Sequence, residues 1–218
     1  MGGLLYNYNI KRKIHMTNLL ITQGCTGTYS IIDSIGDHFN FGKGHSKINH
    51  HCRNPDMDPE RNISFENSKL VYIFCNPYDY TLSSFGKGTN FIVAHNSYGQ
   101  CNGDYKYFER NKTQTLIEYL KDPYDAFLYK KHALGYLEND NRKYDLLFMR
   151  YESLSEFGIS PLISFWSLDV NPTVYKFRKR KSDWKNESDE IKELLEKKYG
   201  DVMRWYESLP LVKEYNRK

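Results

Sequence analysis

The sequence predicts an α/β fold: a single domain with a central parallel sheet of about four to five strands flanked by helices. Three observations lead there. KLVYIF (Lys69 to Phe74) and YDLLFMR (Tyr144 to Arg150) are short apolar runs with polar residues on either side, the pattern of strands buried on both faces. Segments of helical spacing follow both runs. Strands that alternate with helices form a parallel sheet covered on its two sides.

Taken in order, residues 1–16 read as an N-terminal extension and residues 17–218 as the domain. NLLIT (Asn18 to Thr22) reads as the first strand, and QGCTGT after it is a glycine-punctuated turn. YSIIDSIGDHF (Tyr29 to Phe39) then places Ile31, Ile32 and Ile35 on one helical face. FGKGH is a turn, SKINHHC (Ser46 to Cys52) a candidate short strand, and RNPDMDPERN a loop. After the Lys69 strand, Asn76-Pro77 marks a sharp turn, and Pro77 suits the first turn of a helix, where its missing N–H is no loss. Residues 86–103, rich in Gly and Asn, show no assignable period. TQTLIEYL and DAFLYKKHALGYL have helical spacing, as does GISPLISFWSL after the Tyr144 strand. A basic run, KFRKRK (Lys176 to Lys181), leads to a long amphipathic helix, SDEIKELLEKKYGDVMRWYESL.

The chain has 218 residues, enough for one sizeable core. Its hydrophobic fraction is only 39%, but 16% aromatic residues, 19 of them tyrosine, add buried area. A formal charge of +4 suits an anionic ligand and is too small to indicate nucleic acid. No apolar run is long enough to span a membrane, and basic KRK (Lys11 to Lys13) replaces the apolar centre of a signal peptide. The 4 cysteines (Cys25, Cys52, Cys75, Cys101) are spaced too widely for a disulfide scaffold or a zinc ribbon. Reduced thiols and a cytoplasmic location are the expectation. Cys25, Cys52 and Cys75 with His50 and His51 form a remote alternative, a zinc set. Buried thiols acting as small hydrophobes are the simpler account.

The chemistry is carried by strand ends. Small residues that close a strand and open a helix expose backbone N–H groups able to cradle a phosphate. Gly24-Cys25-Thr26-Gly27-Thr28-Tyr29 fits this, and fits a structural glycine turn equally well. It is neither a Walker A loop nor a GxGxxG fingerprint.

Read with four later segments, this loop resembles the sulfotransferases that use 3′-phosphoadenosine 5′-phosphosulfate (PAPS). Gly24 to Tyr29 stands where that family has P-K-S-G-T-T. Cys75-Asn76-Pro77-Tyr78-Asp79 with Ser83 is similar to its R-N-P-x-D-x-x-x-S, and Arg150-Tyr151-Glu152-Ser153-Leu154 to its R-Y-E-D-L. His132-Ala133-Leu134-Gly135-Tyr136 resembles its H-x-x-G-W/Y helix. Arg178 to Asn186 resembles R-K-G-x-x-G-D-W-K-N shortened by one residue. Arg53-Asn54-Pro55 is a literal RNP, but it lacks both a preceding strand and the serine. The resemblance spans Asn18 to about Tyr206.

It implies a P-loop-like sulfotransferase fold and an enzyme moving a sulfuryl group from PAPS to a hydroxyl or amine of a small-molecule or carbohydrate acceptor. Gly24, Cys25, Thr26, Gly27, Thr28 and Tyr29 would hold the 5′-phosphosulfate. Cys75, Ser83, Arg178 and Lys179 would lie at the 3′-phosphate, and Tyr151 at the adenine. The family's general base is a histidine between the two phosphate motifs, which points to His51, with His50 adjacent; both also fit plain surface histidines. Transfer by this route requires no metal. Two cations depart from the pattern: Cys25 replaces the loop lysine and Cys75 the strand-end arginine, each a lost contact of about 1.5–3 kcal/mol. Arg178 and Lys179 remain, Arg180 and Lys181 are spare cations, and Lys43 and Lys47 lie in the neighbouring loop. KFRKRK also fits a solvated basic face. The alternative function is a degenerate relative that binds a nucleotide or a partner without catalysis.

Overall fold

Strands β1 (Asn18–Thr22), β2 (Lys69–Phe74) and β3 (Asp145–Arg150) lie side by side and parallel, with β2 in the middle. The computed structural model describes residues 18–23, 28–36, 65–101, 103–178 and 180–218. Asn18 aligns with Lys69 and Thr22 with Ile73, while Lys69 aligns with Asp145 and Phe74 with Arg150. All three strands therefore end at one edge of the sheet. Each is buried along almost its whole length, which is why each reads as a continuous apolar run rather than an alternating one.

The sheet departs from the expected all-parallel arrangement at its far edge. β4 (Val212–Tyr215) pairs antiparallel with β3, Met149 opposite Val212 and Leu146 opposite Tyr215. Its sequence, VKEY, is half exposed and too short to carry a period, so nothing in it announced a strand. An antiparallel edge on a parallel sheet is common in this class of fold.

Helices cover both faces. α1 (Thr28–Ile35) follows β1, and α2 (Pro77–Gly86) follows β2. α3 (Asn90–Cys101) occupies most of the stretch that showed no sequence period, where it leaves Phe91, Ile92 and Tyr98 exposed and presents no clean apolar stripe, and α4 (Tyr105–Asn111) follows it. α5 (Leu116–Lys121) starts with a Thr115–Glu118 capping box, and α6 (Tyr129–Leu137) leads toward β3. α7 (Ser153–Phe157) follows β3 directly and was not expected, while the helix expected over 158–168 is the shorter α8 (Ser160–Trp166), set off from α7 at Gly158. With φ 58° and ψ −138°, Gly158 adopts a conformation that only glycine tolerates. α8 is pinned to the start of β2, where Lys69 Nζ donates to the Phe165 carbonyl (2.6 Å) and Trp166 Nε1 to the Lys69 carbonyl (3.0 Å). α9 (Asp189–Ser208) is capped by Ser188, carries Asp189 and Glu190 in its first turn, and packs on α2 and α5.

The tyrosines account for the core. Tyr72 stacks on Tyr136 at 4.6 Å, and Phe74 on Tyr129 at 5.3 Å. His132 meets Tyr72 edge-on at 5.4 Å, so the H-x-x-G-Y segment serves the interior. Two tyrosine hydroxyls are taken inside with an acceptor provided: Asp125 Oδ1 accepts from Tyr119 (2.9 Å) and Tyr199 (2.7 Å).

Candidate functional site

At the carboxyl end of β2 the chain turns through Cys75, which is fully buried, and Asn76, which caps α2. Asn76 Oδ1 accepts from the Asp79 N–H (2.8 Å), and its Nδ2 donates to Asp79 Oδ2 (2.8 Å) and Glu152 Oε1 (3.4 Å). The Asn-Pro pair thus does two jobs. It starts the helix, and it holds the Asp79 carboxylate over the strand end.

Asp79 in turn anchors the basic segment. Its Oδ1 accepts from the Trp184 N–H (2.8 Å), and Arg180 Nη1 lies 3.5 Å from its Oδ2. Tyr151, the first residue after β3, places its ring 4.0 Å beneath the Arg180 guanidinium and donates its hydroxyl to the Arg178 carbonyl (3.0 Å). Phe177 packs on Tyr151 (5.6 Å), and Trp184 stands edge-on to Tyr78 (5.1 Å). Phe177, Arg178, Arg180 and Trp184 are therefore each tied to the ends of β2 and β3 or to the first turn of α2.

Arg180 is the charged centre of this arrangement, its side chain only 11% exposed. All three guanidinium nitrogens are buried, and none has a well-formed hydrogen bond to a described residue, although the Cys75 sulfur lies close enough to favour the charge. Burial works against its charge. The Cys75 sulfur, the Asp79 carboxylate and the Tyr151 oxygen together outweigh that, and its pKa lies above the ordinary arginine value. Burial likewise raises the Tyr151 hydroxyl, with Arg180 pulling the other way.

The end of β1 lies alongside. Thr22 and Thr28 hydroxyls meet at 2.8 Å and tie together the two sides of the intervening loop. Gln23 donates its backbone N–H to the Ile73 carbonyl (3.1 Å), yet both polar atoms of its side chain are buried without a hydrogen bond to a described residue. Unsatisfied buried polar groups are uncommon and need a physical reason.

The sequence-predicted residues divide as follows. Cys75 and Tyr151 come together around Arg180. Ser83 is buried one turn beyond Asp79 on the same face of α2, and its hydroxyl makes no hydrogen bond to a described residue. Arg178 touches the site through its backbone carbonyl, while its side chain is exposed. Thr28 faces inward and Tyr29 outward. Gly24, Cys25, Thr26, Gly27, Lys43, Lys47, His50, His51, Cys52 and Lys179 lie outside the described residues. Sequence reasoning treated Arg180 as a spare cation and gave Asp79 no role beyond its motif. The i, i+4 spacing of Asp79 and Ser83, which puts both on one helical face, was the available signal.

The rest of the R-Y-E segment is structural. Glu152 accepts from the Tyr206 hydroxyl, and the Arg150 guanidinium lies 4.4 Å from the Tyr206 ring, which locks α9 to the end of β3. Among the described residues, no three His, Cys, Asp or Glu side chains gather as a metal centre, and no helix is long and apolar enough to cross a membrane. Fold and site together define an α/β protein with a buried cation at the carboxyl edge of its parallel strands. No protein-family model matches the chain, and no curated protein matches it.

Proposed function

We propose that the protein binds a 3′-phosphorylated adenine nucleotide at the ends of β1 and β2 and uses PAPS as a sulfuryl donor. The observation that carries this reading is Arg180, a buried guanidinium placed beside Cys75, where the resembling family has its strand-end arginine. The charge missing at Cys75 is supplied from the basic segment. Carboxyl ends of parallel strands are also where α/β proteins hold anionic ligands. In the reaction, an acceptor hydroxyl or amine attacks sulfur in line, the S–O bond to the 5′-phosphate breaks, and 3′-phosphoadenosine 5′-phosphate leaves. His51, or its neighbour His50, takes the acceptor proton. The acceptor is a small molecule or a carbohydrate.

The second reading, binding without transfer, is favoured by one feature of the sequence. Cys25 stands where the family's lysine contacts the sulfuryl group, so the nucleotide would be held while the transferring group lacks its cation. Calorimetric titration with 3′-phosphoadenosine 5′-phosphate tests both. Binding that exceeds that of adenosine 5′-phosphate is expected, and no binding of either nucleotide removes the proposal. If binding is present, transfer of sulfate to an acceptor panel separates enzyme from binder. His51→Ala should lower turnover by about 100- to 10,000-fold at nearly unchanged nucleotide affinity.

A further inference from the structure

A surface helix ordinarily turns its large apolar side chains toward the core. α3 largely does the reverse. Its inward face is small and polar: Asn90, Ala94 and Ser97 are buried, Asn90 Nδ2 donates to the Asn111 carbonyl (2.9 Å), and Ser97 Oγ donates to the Phe127 carbonyl (2.6 Å). Val93 packs against the core only part-buried. Phe91, Ile92 and Tyr98 point outward, and His95 stands one turn from each of them. Tyr105 of α4 joins them, tilted against Tyr98 at 5.5 Å. Buried Phe108 forms the floor, 5.0 Å from His95, 5.7 Å from Tyr105 and 6.1 Å from Tyr98. Of the nine large hydrophobic side chains exposed among the described residues, four lie in this one patch, each 38–54% exposed.

We propose that this patch is a self-association surface, on which α3 packs against α3 of a second copy of the chain with Tyr105 alongside. The inference is independent of the nucleotide-binding reading. Charge selects the occupant. The α3 sequence, NFIVAHNSYGQC, holds no Asp, Glu, Lys or Arg, although the whole chain is 27% charged. Depletion of charge and enrichment in aromatic rings mark the centre of a protein–protein interface. A charged polymer or a lipid headgroup would find no counter-charge on this helix. The chain as a whole carries +4, so two copies repel each other least where they meet on an uncharged face. At the edge, α4 supplies both signs, with Glu109 paired to Lys112 at 2.7 Å and Lys106 exposed beside them. A two-fold contact needs a surface that complements itself, and a neutral apolar centre with a rim of both signs does so.

The area agrees. With side chains of this size, the exposed parts of Phe91, Ile92, Tyr98 and Tyr105 amount to roughly 300–400 Å² of apolar surface. A standard interface buries about 800 Å² on each partner, a little over half of it apolar. The patch therefore supplies most of the apolar centre that a stable pair needs. Sedimentation velocity and light scattering on the full chain, from about 1 to 100 μM, should show a species of twice the chain mass that dissociates on dilution. Hydrogen exchange compared at the two ends of that range should slow within residues 90–111 on association and stay unchanged in α9 and β4. Tyr98→Glu and Ile92→Glu each place two like charges in a symmetric interface, and each should weaken association by about 100-fold or more. Val174→Glu, at an equally exposed apolar residue outside the patch, should leave it intact.

Thermal melting under dilute conditions checks the fold of each variant. Both substituted side chains are solvated in the single chain, so the dissociated variants should melt with dissociated wild type. Should Tyr98→Glu not fold, Ile92→Glu decides the matter. Wild type that stays monomeric up to about 100 μM overturns the proposal and leaves the patch to a different protein or to solvent. Association that survives both α3 substitutions, or that Val174→Glu abolishes equally, places the contact elsewhere and overturns it too. A mass that keeps growing with concentration means an open, head-to-tail contact, which a self-complementary patch does not make.

Discussion

Asp125 shows how single residues let so polar a chain form a core. Its Oδ1 accepts from the Tyr119 and Tyr199 hydroxyls and from the Phe127 N–H (3.0 Å), and its Oδ2 from the Tyr129 N–H (2.8 Å). Burial and the Asp125 charge hold both hydroxyls well above the usual tyrosine pKa, so they stay protonated as donors. Asp125→Ala strands all of these donors at once, and unfolding by denaturant should show a loss of about 3–5 kcal/mol. Tyr199→Phe removes one donor and should lose about 1–2 kcal/mol; equal losses for the two variants would mean Asp125 is not the hub. Nothing in DPYDAFLY separates this aspartate from Asp122 three residues earlier. The site shows the same limit. Cys75 and Tyr151 were legible because each directly follows a buried strand. Which arginine of KFRKRK turns inward was not, because that segment has no period, and the decision is made by Asp79 and Tyr151, which are far away in sequence.

At the scale of elements, polar clamps join α4, α5 and α9 as much as apolar faces do. Asp122, just past α5, accepts from Gln114 Nε2 (3.0 Å) and the Tyr124 N–H (3.0 Å) and pairs with Arg110 of α4. Lys198 of α9 donates to the carbonyls of Asp122 (2.6 Å) and Tyr124 (2.9 Å). Burial opposes the charge on Asp122, yet the Tyr124 N–H, Gln114 and Arg110 outweigh it and hold its carboxyl below the usual range. A carboxylate whose folded pKa is depressed stabilises the fold above its unfolded pKa, about 3.9. That contribution disappears as pH falls through the lower, folded value. Asp122→Asn should therefore melt below wild type at pH 7, and the gap should narrow on acidification below about pH 4. A gap independent of pH would assign the loss to shape and not to charge. These clamps also explain why α3 and α4 escaped the sequence reading. Helices held by ring stacking and polar contacts, such as Tyr107 on Tyr124 at 3.7 Å, need no apolar stripe.

At the scale of the molecule, the parallel half of the sheet was legible because strands buried on both faces must be apolar throughout, and few other segments satisfy that. The antiparallel edge was not, because β4 gains its place from what it covers. Without it, β3 (DLLFMR) would present an unpaired apolar edge, a template for association with other chains. The C-terminal segment is tied on by more than its ladder. The Arg150 N–H donates to the Leu211 carbonyl (2.8 Å), the Arg217 N–H to Asp145 Oδ1 (3.0 Å), and the Lys218 N–H to the Arg142 carbonyl (2.9 Å). Deleting residues 210–218 should lower the melting temperature by roughly 5–15 °C, since each 1 kcal/mol shifts it by about 2–4 °C at this size. Light scattering should show association at concentrations where the full chain is monodisperse. The same deletion frees the Arg150 N–H next to Tyr151, so the Arg180 platform loosens and affinity for 3′-phosphoadenosine 5′-phosphate should fall even below the melting transition. Unchanged melting and scattering would mean that β4 is a passive edge and that the three parallel strands hold the site by themselves.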